Sequence, residues 1–142
     1  MEEITLEQAR TIIRTALEAG REGGLRPLAA VVVDAGGHVQ AFERQDSAPP
    51  GRFDVARGKA HGAVMLGLGG FAQRDRAEAQ PYFMGALNGV YGGGLVPVPG
   101  GVLVRGLSGR VIGAVGVTGD TSENDAEAAL AGIKAAGLSG EA

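Results

Sequence analysis

The sequence contains no cysteine at any of its 142 positions. This absence excludes disulfide bonds, thiolate metal sites, covalent c-type haem attachment and cysteine nucleophiles. The side chains left for metal or redox chemistry are two histidines and the carboxylates. Any redox or metal centre built from side chains must therefore use histidine or acidic ligands.

Aromatic residues are also scarce, at 4% of the chain, and tryptophan is absent, whereas there are 26 glycines. Under these limits we expect a core of alanine, valine, leucine and isoleucine packed at short backbone distances. Small residues on helix faces also suit close contacts between subunits, so we expect a homo-oligomer.

Clustered positive charge is missing as well. The net charge is −3, and no two Lys or Arg residues are adjacent. Nucleic-acid binding needs basic side chains grouped to neutralise phosphates, so we expect no nucleic-acid partner. The N-terminus lacks the pattern of a signal peptide, and no apolar run approaches the roughly 20 residues of a membrane span. We therefore expect a cytoplasmic protein with no membrane partner.

The length and the pattern of elements predict one α+β domain over residues 1–142. The order is helix, hairpin, helices, hairpin, helix, which favours an antiparallel sheet with helices packed on it over alternating βαβ units. The predicted elements are a helix capped at Thr5 and Gln8 that ends near residues 20–24, strands 28–33 and 39–43, a helix over 53–68 broken by 67–70, a short helix over 82–88 opened by Pro81, strands 101–106 and 110–118, and a helix that starts at Ser122 and ends at Gly137.

Five short pieces of sequence, in a fixed order, carry a family pattern. They are Val32–Asp46, Lys59–Ala60, Gly92–Gly101, Val111–Gly119, and Asn124–Asp125 with Ala131–Gly132. In this order and spacing the chain resembles the GlcG/HbpS-like family over about residues 6–134. The resemblance implies a profilin-like or roadblock-like fold, assembly into homo-oligomers and, in some members, binding of haem. A similar domain follows the adenosyltransferase domain in PduO-type proteins.

The chain departs from the family pattern at two positions. Related chains often carry threonine at the third position after the helical lysine, where this chain has Gly62. They also often place a proline soon after the Pro-Gly-Gly turn, where this chain has Leu103. Both departures concern the lining of a ligand pocket.

Three side chains are candidates for holding a ligand. His61 is the preferred haem-iron ligand or general base, because a neutral imidazole is the default iron ligand in a chain without cysteine; the alternative is a partly buried helix histidine. His38 follows a hairpin turn and is a second candidate, with an exposed or hydrogen-bonded turn histidine as the alternative. Lys59 resembles a family position and is a candidate for binding a carboxylate or haem propionate, with a surface lysine as the alternative. Lys59 and His61 point about 200° apart around their helix, so they do not share one small site within a subunit.

The glycine run Gly92, Gly93 and Gly94 is a candidate ligand loop. Three successive residues without side chains allow close approach of a ligand, or a nest of backbone amides for an anion; a flexible turn is the alternative. The run does not match a dinucleotide or P-loop fingerprint.

Two acidic groups are weighed as further sites. Glu43, Arg44 and Asp46 suit either an acid/base pair with an anion clamp or an ion pair at the sheet edge. The second group, Asp120, Glu123 and Asp125, is interpreted as helix-cap and first-turn acids.

The sequence therefore favours a small-molecule binding protein, for haem or another carboxylated ligand held near a subunit interface between the second helix and the glycine loop. One alternative is an enzyme acting on a small organic acid, with Lys59 or Arg44 on the carboxylate and His61 or Asp46 as base. The other is an accessory subunit without chemistry.

Overall fold

The computed structural model describes residues 2–142 as five helices and five strands. In chain order these are α1 (Leu6–Glu22), β1 (Ala29–Asp34), β2 (Val39–Arg44), α2 (Arg52–Leu66), α3 (Gly70–Ala79), α4 (Pro81–Val90), β3 (Gly101–Arg105), β4 (Val111–Thr118), α5 (Ser122–Ala135) and β5 (Ser139–Glu141).

The five strands form one antiparallel sheet in the order β2-β1-β4-β3-β5. Both predicted hairpins, β1–β2 and β3–β4, are present, and β1 pairs with β4 to join them at the sheet centre. The central strands β1 and β4 are buried almost throughout, as expected for strands covered on both faces. The predicted α+β class with an antiparallel sheet is confirmed.

Helices α1 and α5 cover one face of the sheet. The predicted capping box is present, because the Thr5 hydroxyl accepts from the Gln8 backbone while the Gln8 side chain accepts from the Thr5 backbone. The apolar face of α1 packs on α5 and on strand residues such as Val32 and Val115. This layer forms the larger of two apolar clusters.

Helix α2 covers the opposite face, where Ala56, Ala60 and Ala63 pack on the alternate residues of the same strands. The helix lies unusually close to the sheet, because a side chain at Gly116 would overlap the Ala56 carbonyl. A side chain at Gly101 would likewise overlap the Lys59 carbonyl. Several of the glycines predicted to allow short backbone distances thus serve contacts inside the chain.

The structure differs from the prediction at α3, β5 and the start of α5. Helix α3 was not predicted, because its charged sequence lacks an apolar face and lies between a glycine break and Pro81. Strand β5 is three exposed residues long and gains its conformation by pairing with β3. Helix α5 is capped by Thr121 rather than Ser122, since the Thr121 hydroxyl accepts from the Asn124 backbone.

Within residues 2–142, no helix combines the length and apolar character that a membrane crossing requires.

Candidate functional site

Lys59 lies inside the protein, with 3% of its side chain exposed. Its ammonium donates to Asp125 Oδ2 at 3.1 Å and to the Val117 carbonyl at 3.0 Å. Burial lowers the pKa of Lys59 below its usual value, and the Asp125 carboxylate opposes that shift. The alternative of a surface lysine is wrong, and the ammonium already has two protein acceptors.

Asp125 connects this lysine to the start of α5. It lies in the first turn of the helix, as predicted, but its side chain is only 1% exposed. Its second oxygen, Oδ1, accepts from the Asp120 backbone N–H at 2.9 Å. Hydrogen bonds from Asn124, Arg26 and Thr121 hold the pKa of Asp120 well below its usual range. These contacts join α2, the end of β4 and the start of α5 into one polar network.

His61 lies on a different face of α2 from Lys59, as the helical spacing predicts. Its ring is partly buried, and its Nδ1 atom is enclosed by the protein without a well-formed hydrogen bond among residues 2–142. Burial lowers the pKa of His61 below its usual value, the Arg57 guanidinium acts in the same direction, and the Gly94 backbone opposes both. The imidazole is therefore neutral near pH 7, the form that can coordinate a metal.

Two glycines frame the His61 ring. A Cβ atom at Gly37, in the β1–β2 turn, would lie 3.1 Å from His61 Cδ2 and 3.2 Å from Met65 Cε. On another side, a Cβ atom at Gly94 would lie 3.6 Å from Arg57 Nη1. Arg57, His61 and Met65 follow one another at four-residue intervals and so share a face of α2. We call these three side chains together with Gly37 and Gly94 the His61 groove.

The glycine loop follows the end of α4 and leads to the His61 groove. Gly92, Gly93 and Gly94 have φ values of 74°, 79° and 85°, a left-handed conformation that glycine adopts readily. The N–H groups of Gly92 and Gly93 donate to the carbonyls of Gly89 and Asn88. These two amides close the helix, so an anion nest over all three glycines lacks two of its donors. Gly94 alone of the three borders His61 and Arg57.

His38 lies on the other side of the same hairpin turn. Its ring packs against Gly36 and its Nδ1 atom is 3.2 Å from Asp34 Oδ1, with 82% of the side chain exposed. The residue lines a cavity of about 510 Å³ between the turn and the N-terminal segment, together with Glu2, Glu3 and Asp34. The hydrogen-bonded turn histidine considered from the sequence is therefore what the structure contains.

Glu43, Arg44 and Asp46 line a separate cavity of about 450 Å³ that also includes Leu17 and Arg21 of α1. Among residues 2–142 none of the three forms an ion pair, and Arg44 instead donates to the Ala48 carbonyl at 2.8 Å. Neither His61 nor Lys59 lines this cavity. The structure therefore brings Glu43, Arg44 and Asp46 of the acid/base hypothesis to one cavity and leaves Lys59 and His61 outside it.

Sequence reasoning overlooked Arg57 and Met65. Both are four residues from His61, so helical spacing alone would have placed them beside it. The sequence predicts Gly37 only as a turn residue, because its contact with α2 depends on tertiary packing. The sequence also did not predict Asp125 as the partner of Lys59, because the two residues are 66 positions apart in the chain.

Comparison with known proteins shows the family to which this chain belongs. Residues 4–134 match the family described as haem-degrading protein HbpS-like. The chain belongs to the HbpS-like family. It is also 35% identical over 136 residues to an uncharacterised 15.0 kDa protein of Citrobacter freundii encoded in the dhaT-dhaS intergenic region, a match that covers 89% of each chain.

Solved structures agree with the HbpS-like assignment. A crystal structure of PduOC in complex with haem superposes with a TM-score of 0.86 at 23% identity and covers 99% of this chain and 100% of that one. A double mutant of HbpS from Streptomyces reticuli superposes with a TM-score of 0.82 at 29% identity, over 94% of this chain and 87% of that one. The first of these supports the fold alone, and the second supports both the fold and the family.

Proposed function

We propose that this HbpS-like chain binds haem in the His61 groove, with the imidazole of His61 as the single protein ligand to the iron. The observation that carries the proposal is the His61 ring itself, which is only partly buried: its Nδ1 atom is enclosed by the protein, so Nε2 is the nitrogen left to face a ligand. A neutral imidazole is the common protein ligand of haem iron. The family is described as haem-degrading, and PduOC was crystallised in complex with haem, so both support the same ligand class.

The other candidate groups fit an iron less well. The chain has no thiolate, and Met65 is a neighbour of His61 rather than an independent site. Lys59 is buried and already forms an ion pair with Asp125. His38 is mostly exposed and hydrogen-bonded to Asp34, so the apolar walls that haem needs are harder to build around it. Bound haem would supply a redox-active iron, and the chain would supply its imidazole ligand and its surroundings.

We further propose that a second copy of the chain completes the site. His61 lies outside the two cavities described above and its ring is only partly buried, so residues 2–142 alone do not enclose an apolar ligand there. Helix α4 supports self-association, because its ten residues include no charge and leave Tyr82 and Val90 more than 70% exposed. We expect sedimentation at micromolar concentration to show an oligomer, and a protein found only as the 14.3 kDa monomer would contradict this part of the proposal.

Haem titration followed by the Soret band tests the proposed ligand. We expect His61→Ala to lose the Soret shift that the wild-type protein gives, and His38→Ala to retain it. The reverse result would move the site to the cavity beside the hairpin turn. Unchanged binding in both variants would contradict specific haem ligation and favour a small organic acid as ligand. A wild-type protein that binds neither haem nor a small organic acid would favour an accessory subunit.

A further inference from the structure

Arg57 is a cation without an anionic partner in the middle of α2. Its guanidinium lies against Gly94, and its side chain is partly buried. Among residues 2–142 it forms neither an ion pair nor a side-chain hydrogen bond, whereas Arg26, Arg74 and Arg105 each pair with a carboxylate. A partly buried guanidinium without an acceptor is suited to receive one from a ligand.

The position of Arg57 ties it to the His61 groove. It lies one helical turn before His61 on the same face of α2, so the guanidinium and the imidazole border the same part of the surface. The missing side chain at Gly94 leaves the guanidinium uncovered on the side of the loop. A ligand that reached His61 would therefore meet a positive charge beside it.

We propose that Arg57 binds a carboxylate of the ligand held at His61, so that the groove selects an apolar molecule carrying an acid group. This inference rests on the proposed haem site and names the group that recognises the ligand's charged end. It replaces Lys59 in that role, because the Lys59 ammonium is paired with Asp125 inside the protein. The planar guanidinium offers two parallel donors to a carboxylate, a geometry that a lysine does not provide.

The test compares haem with haem dimethyl ester, which keeps the iron and the ring but has no ionised carboxylate. Both are titrated into the wild-type protein, Arg57→Gln, Arg57→Lys and the control Arg10→Gln, whose side chain lies exposed on α1. We expect Arg57→Gln to weaken haem binding by about tenfold or more, as for loss of a charged hydrogen bond, and to leave ester binding unchanged. Arg57→Lys should recover part of the haem affinity, and Arg10→Gln should match the wild-type protein.

The possible results separate this inference from the proposed function. If the wild-type protein binds haem and Arg57→Gln binds it equally well, Arg57 is not the carboxylate partner and the haem site stands. If Arg57→Gln weakens haem and ester alike, Arg57 supports the shape of the groove and the inference is also overturned. If the wild-type protein binds neither compound, the haem site itself fails and this inference fails with it. Circular dichroism and thermal unfolding of each variant show that the fold is retained.

Discussion

Replacing Lys59 by methionine tests the buried pair that joins α2 to α5. The variant keeps an apolar stem of similar length and removes the ammonium, which leaves the Asp125 carboxylate 1% exposed without its counter-charge. Removing one partner of a buried ion pair costs about 3–5 kcal/mol of the free energy of unfolding. In a chain of 142 residues this corresponds to a fall in Tm of roughly 10–17 °C.

Urea and thermal unfolding at pH 7, followed by circular dichroism, measure this change. The matched control is Lys134→Met, because Lys134 is the other lysine of the sequence and lies exposed near the end of α5. We expect the control to stay within about 0.5 kcal/mol of the wild-type protein. Adding Asp125→Asn to Lys59→Met should restore part of the lost stability, because the amide removes the uncompensated charge.

A Lys59→Met variant as stable as the Lys134→Met control would refute this reasoning. It would mean that the Asp125 carboxylate finds water or another donor once the ammonium is gone, and that the pair contributes no more than a surface ion pair.

Three further predictions concern the His61 groove and the helix that carries it. Gly93→Val should weaken haem binding in Soret titrations, because valine resists the left-handed conformation that closes α4. Circular dichroism should show that the fold is retained. Unchanged affinity for haem would mean that the loop is a simple turn. The pKa of His61 lies below its ordinary value of 6.5, so the unfolded chain takes up a proton there first as the pH falls. The free energy of unfolding should therefore decrease as the pH falls through about 6.5, and it should decrease less in His61→Asn. NMR titration should find the His61 pKa raised in Arg57→Gln, because the variant lacks the neighbouring positive charge. Equal pH slopes in the two proteins, or an unchanged His61 pKa, would contradict the assigned environment. Gly116→Ala should cost about 1–3 kcal/mol in urea unfolding, because its methyl group would overlap the Ala56 carbonyl, and a cost near zero would show that α2 can shift freely.

Local sequence patterns predicted most of the fold. The capping box at Thr5, the two hairpins and the proline at the start of α4 depend on residues close together in the chain, and each has a characteristic spacing. Helix α3 and strand β5 escaped prediction, because α3 has no apolar stripe and β5 is polar and forms only through its pairing with β3.

The candidate site was predicted less completely, since its geometry depends on contacts distant in sequence. Helical spacing correctly separated Lys59 from His61, but the burial of Lys59 depends on a carboxylate in α5 and a carbonyl in β4. The turn at Gly37 meets His61 only because the β1–β2 hairpin packs beside α2. A single sequence records none of these contacts, whereas the alignment of Arg57 with His61 was readable from their spacing.

Native mass spectrometry of the protein mixed with haem tests the central claim most directly, because it reports assembly and ligand together. If haem is held at His61 in a groove that a second copy completes, haem mass should appear on oligomers and be absent from the 14.3 kDa monomer, and His61→Ala oligomers should carry none. Haem retained by the monomer to the same extent as by the oligomer, or by His61→Ala as fully as by the wild-type protein, would contradict the account.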